Sequence, residues 1–234
     1  MRYLDEAQAG RWGPPATFEP LERVGPISSH EKELRRQLCE FVRRAYQQRL
    51  MISTQGAFSA RLDADSFLIT PHRVDRSAVD LDDIVLVRRD AAEVGKIPSS
   101  AIANHRSVYD AHPEVAAVVN AYPVNATAFS VSEAALDTRT IPESYIFLRE
   151  VGRAPFGARF GATGSAALTT PRRPAVILEN DGVQVCGTSV LDAFDRLEVL
   201  ESTCEAMINS RPLGPMVPMS DAAIDELCRA FGLD

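Results

Sequence analysis

Apolar residues recur at helical spacing from Leu34 through Leu38, Phe41, Val42 and Ala45, which predicts an amphipathic helix running to about Leu50. Ser28 followed by Glu31 reads as a capping box at its start. Shorter apolar runs at 67–70, ended by Pro71, and at 84–87 predict strands, with a polar hairpin at 90–95 between the second run and the next element. The run at 116–119 predicts a buried strand that passes into Asn120 and Tyr122. Two more runs, 175–178 and 183–186, flank Asn180-Asp181-Gly182, a turn-forming triplet. Helices are predicted from Pro98-Ser99-Ser100 to about His112, over 125–129, and after a Thr188 cap, where Val190, Phe194, Leu197, Leu200, Cys204 and Met207 share one face. A last helix starts at Ser220 or Asp221 with Ile224, Leu227, Cys228 and Phe231 on its apolar side. Residues 1–27 carry four prolines and little periodicity and read as an arm on the surface or on a neighbouring subunit. The chain thus divides into an arm (1–27), a main domain (28–211) and a C-terminal helical extension (212–234).

Asn120 and Tyr122 stand at i and i+2 near a strand end, so both face one side of a sheet. A rigid strand running into an open loop is a common place to hold a ligand. The 234 residues carry a formal net charge of −7, and the basic pairs at 35–36, 43–44 and 172–173 are dispersed. That balance argues against a general nucleic-acid binder. No apolar run approaches the roughly 18–20 residues of a membrane span, and residues 1–20 lack the apolar core of a secretory signal; the expected location is the cytoplasm. Cys39, Cys186, Cys204 and Cys228 form no close pair and read as reduced core thiols. Gly161-x-x-Gly164 lacks the lysine of a phosphate-binding loop, and no nucleophile elbow is present.

Five segments together carry a family likeness. They are Ser53-Thr54-Gln55-Gly56-Ala57-Phe58-Ser59, Phe67-Leu68-Ile69-Thr70-Pro71, Pro98-Ser99-Ser100-Ala101, the run from His112 to Val119, and the run from Leu178 to Val183. In order and spacing they resemble the class II aldolase/adducin family over roughly residues 31–210. The resemblance implies a three-layer α/β/α sandwich around a mainly antiparallel sheet, and a homo-oligomer, in the family commonly a tetramer with sites at subunit junctions. It also implies a metal site in active members, with His-x-His at the strand end, a third His in an Asn-His-Gly turn, and an acidic residue after Pro-Ser-Ser. This sequence has Asn120 and Tyr122 at the first two positions, Asp181 at the third and Ala101 at the acidic one. By the same likeness Gly56, Ser59, Thr70, Arg73, Ser99, Ser100 and Tyr122 are the substrate-binding candidates. Ala57 stands where the family has an Asn that helps hold phosphate, and His72-Arg73 follow Thr-Pro where the family has a small residue and Gly. Ile141-Pro142-x-x-Tyr145 resembles another family segment.

An amide oxygen and a phenol are poor substitutes for imidazole on zinc, and Ala101 offers no base for proton transfer. No cofactor is therefore expected, with zinc the alternative if that reasoning fails. Asn120 and Asp181 are hard oxygen donors for magnesium or calcium, but two are thin for such a site. The leading expectation is a relative without metal-dependent aldolase activity that keeps the scaffold and a pocket for a small anion or sugar phosphate, lined by Tyr122, Tyr145, His72, Arg73 and Arg159. The alternative is a lyase or epimerase on a small sugar phosphate with a rearranged site. A third is an interaction module whose arm binds a partner. His105 is expected to be packed or hydrogen-bonded inside, His112 to sit at a helix C-terminus, and His30 to be solvated.

Overall fold

Ser28 stops the chain from entering the first helix randomly: its Oγ accepts from the Glu31 amide at 3.1 Å and opens α1 (Ser29–Gln47). The Glu31 carboxylate does not complete the box but turns to Arg23 and Arg35, at 2.7 and 2.9 Å. One face of α1 is buried, with Leu38, Cys39, Phe41, Val42 and Ala45 at the expected spacing. The computed structural model describes residues 18–23, 25–158 and 165–233.

Nine strands form one sheet: β1 (Glu19–Leu21), β2 (Ala57–Arg61), β3 (Ser66–Ile69), β4 (Val85–Arg88), β5 (Ala91–Glu93), β6 (Ala117–Ala121), β7 (Val151–Ala154), β8 (Ala175–Leu178) and β9 (Val183–Gly187). Their order is β1-β5-β4-β3-β2-β6-β9-β8-β7. Only the outer pairs, β1 with β5 and β7 with β8, are parallel; the inner ones are antiparallel. The remaining helices are α2 (Ile102–Ala111), α3 (Val124–Ser130), α4 (Pro142–Leu148), α5 (Val190–Ser210) and α6 (Asp221–Phe231).

Strand alternation sorts side chains into two layers of core. On β6, Ala117, Val119 and Ala121 join Phe58, Leu68 and Leu86 under α1 and α5. Val118 joins Phe67, Ile69, Val85 and Val87 against Ile102, Val108 and Tyr109 of α2. Both sheet faces are therefore covered by helix, and the fold is the expected three-layer sandwich around a mainly antiparallel sheet. No helix among the described residues is long and apolar enough to cross a membrane.

Three expectations are corrected. The arm is not wholly separate from the domain: Glu19–Leu21 adds an edge strand beside β5, which itself arises inside the polar hairpin expected at 90–95. Arg23 ties this edge to α1 through Glu31. Thr188 is not the cap of α5; Ser189 Oγ accepts from the Asp192 amide, while Thr188 bonds the Asp192 carboxylate. Along the apolar side of α6, Ile224 is buried, Leu227 and Cys228 are half-buried and Phe231 is 58% exposed. Cys39, Cys186 and Cys204 are buried and Cys228 half-buried; burial pushes the Cys186 thiol up to about 12. Arg159, Gly161 and Gly164 lie outside the described residues, as do residues 1–17 of the arm.

Candidate functional site

The sheet end of β6 opens onto a cavity of about 340 Å³. Three segments wall it. The first is the turn before β2, where Gly56 adopts φ +87° and lies against the Asn120 carbonyl and the Met51 side chain. A side chain at Gly56 would collide with both, so the turn needs glycine. The second is the loop after β3. The third is the start of α2. The last two are pinned together: the Ser99 amide donates to the Thr70 carbonyl at 3.0 Å, and Pro71 bridges Pro98.

The loop after β3 supplies positive charge. Arg73, exposed, adopts φ +55°; the backbone shape suited to glycine persists here with an arginine in it. Arg76 runs inward and is 1% exposed. Its guanidinium donates to three carbonyls, Gly56 at 2.8 Å, Pro71 at 3.1 Å and Val74 at 3.2 Å, while its buried Nε has no hydrogen-bond partner. Burial brings the Arg76 guanidinium down to about 10, against the pull of exposed Asp75. His72 also lines the cavity; burial, then Arg73 and Arg76, hold its imidazole below the usual range. Ser99 Oγ accepts from the Ala101 amide at 3.3 Å, and the first turn of α2 presents its positive dipole end to the same space. No Asp or Glu stands among the described residues that line it.

The floor is Asn120, 2% exposed. Its Oδ1 lies 2.7 Å from His105 Nε2. His105 Nδ1 lies 2.7 Å from Ser59 Oγ, which lies 2.7 Å from the Tyr109 hydroxyl. Burial pushes His105 down to about 4, so the ring is neutral, and pushes the Tyr109 phenol upward. The Asn120 Nδ2 has no partner among the described residues.

Fold and cavity can now be set beside known proteins. The pattern described as Class II Aldolase and Adducin N-terminal domain matches residues 36–208. The chain belongs to this family. It is 29% identical over 214 residues to the 3-oxo-tetronate 4-phosphate decarboxylase of Cupriavidus necator, covering 87% of this chain and 98% of that one. It is 28% identical over 193 residues to the L-fuculose phosphate aldolase of Escherichia coli, covering 77% and 86%. In fold it is similar to Escherichia coli YgbL, at a TM-score of 0.74 and 24% identity, covering 84% of this chain and 98% of that one. The L-fuculose 1-phosphate aldolase of Glaciozyma antarctica superposes at 0.72 with 20% identity, covering 90% and 86%.

Within this class II aldolase fold, the structure gathers Gly56, Arg73, Ser99, Ser100, Ala101, Asn120 and Tyr122 around the cavity, with His72. It places two other candidates elsewhere. Ser59 is 1% exposed and spends its hydroxyl on His105 and Tyr109. Thr70 is fully buried, and its Oγ1 accepts from the Phe58 amide at 3.2 Å. Asp181 sits in the β8–β9 turn after Asn180 at φ +53°; it is not among the residues that line the cavity, although its neighbour Gly182 packs against Ala121 and Tyr122. Tyr145 lines a separate surface hollow with Arg139 and Arg149. Arg76 was not singled out by the sequence. A lone arginine in a polar loop carries no pattern that marks it as buried.

Proposed function

We propose that this chain holds a small phosphorylated or carboxylated metabolite in the β6 cavity, without metal-dependent aldol chemistry. One observation carries the reading: among the described residues no carboxylate is bonded to buried Arg76, and the cavity it lines also holds Arg73 and His72 and no acidic side chain. A buried cation left to carbonyls alone favours an incoming anion. The relatives named above act, by their names, on phosphate esters, which supports a sugar phosphate as the ligand class.

The donor set does not suit zinc. Asn120 Oδ1, the only atom of that side chain able to ligate, faces His105 Nε2. Tyr122 is a phenol, and Asp181 lies in a turn outside the lining. Among the described residues no group of three or more His, Cys, Asp or Glu is placed to hold a metal ion. A lyase or epimerase with a rearranged site is the second reading, favoured by the near-complete coverage of the decarboxylase relative. We also propose a homo-oligomer, supported by apolar surface at Leu213, Val217 and Phe231.

Calorimetric titration with inorganic phosphate, paired with metal analysis of the purified protein, tests the reading. Saturable binding of one phosphate per chain with zinc far below stoichiometric is expected. No phosphate binding would remove the pocket, and stoichiometric zinc with retro-aldol turnover would install the second reading.

A further inference from the structure

The four-residue chain beneath the cavity has a direction. Its members are buried: Tyr109 is 5% exposed, Ser59 1%, His105 0% and Asn120 2%. Burial this deep places the protons chiefly by the partners within the chain. The phenol has one proton to give, and Ser59 Oγ is the side-chain atom within reach at 2.7 Å. Ser59 then gives its own proton to His105 Nδ1. That fixes the neutral imidazole with its hydrogen on Nε2, which donates to Asn120 Oδ1. The reverse direction would strand the phenol proton in the core, at a cost of about 1–3 kcal/mol.

The consequence falls on Asn120. With Oδ1 held by His105, the amide is fixed, and Nδ2 is left as a buried donor without a partner among the described residues, on a side chain whose residue lines the cavity. A buried N–H pair without an acceptor is uncommon in a folded protein. We propose that Asn120 Nδ2 is the specificity-determining donor of the cavity, held by His105 to grip a carbonyl or other uncharged oxygen of a ligand whose anionic group lies at Arg76. This deepens the reading above and rests on it. The ligand class narrows to phosphorylated or carboxylated compounds that carry a ketone, aldehyde or hydroxyl oxygen a short distance from the anion. A site built around a hydrogen-bonding group rejects the analogue that lacks it, since the donor is then buried unmet. His105, Ser59 and Tyr109 are positioning residues that touch no ligand.

The test compares hydroxyacetone phosphate with n-propyl phosphate, which share a three-carbon ester skeleton and differ by one carbonyl oxygen. Calorimetry on the full chain should show the ketone bound about tenfold more tightly, the worth of one buried hydrogen bond. Asn120→Leu should bring that ratio close to one, and His105→Phe should do the same without touching ligand. Because either variant loses buried bonds, ¹⁵N spectra of the unaltered protein supply an independent readout. They should show His105 as the Nε2–H tautomer from pH 5 to 8, and an Asn120 side-chain amide that shifts with the ketone more than with propyl phosphate. Equal affinity for the two esters, or a ratio that survives Asn120→Leu, overturns this inference while leaving the anion pocket standing. An Nδ1–H tautomer also overturns it, because Asn120 would then present its oxygen. Failure of both esters and of inorganic phosphate to bind overturns the pocket and this inference together.

Discussion

Among the described residues two arginines are almost wholly buried, and they live in opposite circumstances. Arg35 on α1 is 3% exposed. It meets Glu31 and Glu93, both at 2.8 Å, and donates to the Ile84 carbonyl at 2.6 Å and the Leu81 carbonyl at 3.1 Å. Its carboxylates are shared in turn with Arg23 and Lys96. Burial pushes Glu31 up, but hydrogen bonds from Arg23 and Arg35 bring it below the usual range. Among the described residues Arg76 meets only carbonyls and leaves Nε unmet. The first guanidinium is a finished structural joint between α1 and the sheet edge. The second is an unfinished one, beside a cavity whose described lining carries no negative charge. A buried charge that the protein leaves unbalanced points to something the protein has yet to receive.

Breaking the finished joint should have the largest effect on stability. Arg35→Met leaves Glu31 to Arg23 and Glu93 to Lys96 but removes the buried guanidinium that ties both to the Leu81 and Ile84 carbonyls, and should cost about 3 kcal/mol by urea denaturation, with phosphate affinity unchanged. Arg76→Met should show the converse emphasis. It removes the charge-assisted bond to the anion, worth about 1.5–3 kcal/mol, and so should weaken phosphate binding about a hundredfold by calorimetry. If Arg76→Met leaves phosphate binding intact, the contrast between the two arginines has no functional meaning.

The contrast also separates what the sequence shows from what it hides. The Leu38-Phe41-Val42-Ala45 spacing and the run into Asn120 are local patterns, and the structure has α1 and β6 where they put them. The family likeness brought Gly56, Ser99, Ser100 and Tyr122 to one cavity because motif order survives when side chains change. It could not tell that Ser59 and Thr70 bond inside the core, since a motif names a residue without saying where its hydroxyl finds a partner. The links Ser59–His105 and Ser59–Tyr109 join residues 46 and 50 apart, a separation at which no periodicity operates. Arg76 is hidden for the same reason: its carbonyl partners come from a turn before β2 and from its own loop, and only folding brings them together.

His105 offers a smaller test of how closed the cavity floor is. Its folded value of about 4 lies below the ordinary 6.5. Between the two, the unfolded chain holds a proton that the folded chain refuses, so stability is complete above about pH 6.5 and falls as pH drops toward 4. Between pH 7 and pH 5 the contribution of this one ring should be roughly 2 kcal/mol. Urea denaturation at both values, with His105→Phe as the reference lacking the ring, isolates it. Equal pH slopes in the two proteins would mean that His105 is not sealed, and the fixed direction of the Asn120 amide would go with it.

The smallest effect sharpens the comparison most, because Arg73 is the third term in it: a cation at the same cavity, but exposed and strained. At φ +55° an L-residue carries about 1 kcal/mol of steric cost, which glycine escapes while adding about 0.5–1 kcal/mol of unfolded-chain entropy. Arg73→Gly should therefore be close to neutral, within about 0.5 kcal/mol in urea denaturation. An exposed cation facing an anion in water is worth about 0.2–1 kcal/mol, so phosphate binding should weaken only about threefold. Burial is what multiplies the value of a charge, and the exposed arginine that the solvent screens should matter less to the ligand than the buried one. If Arg73→Gly weakens phosphate as much as Arg76→Met, the anion is held at the rim of the cavity, and the buried guanidinium serves only to tie Gly56, Pro71 and Val74 together.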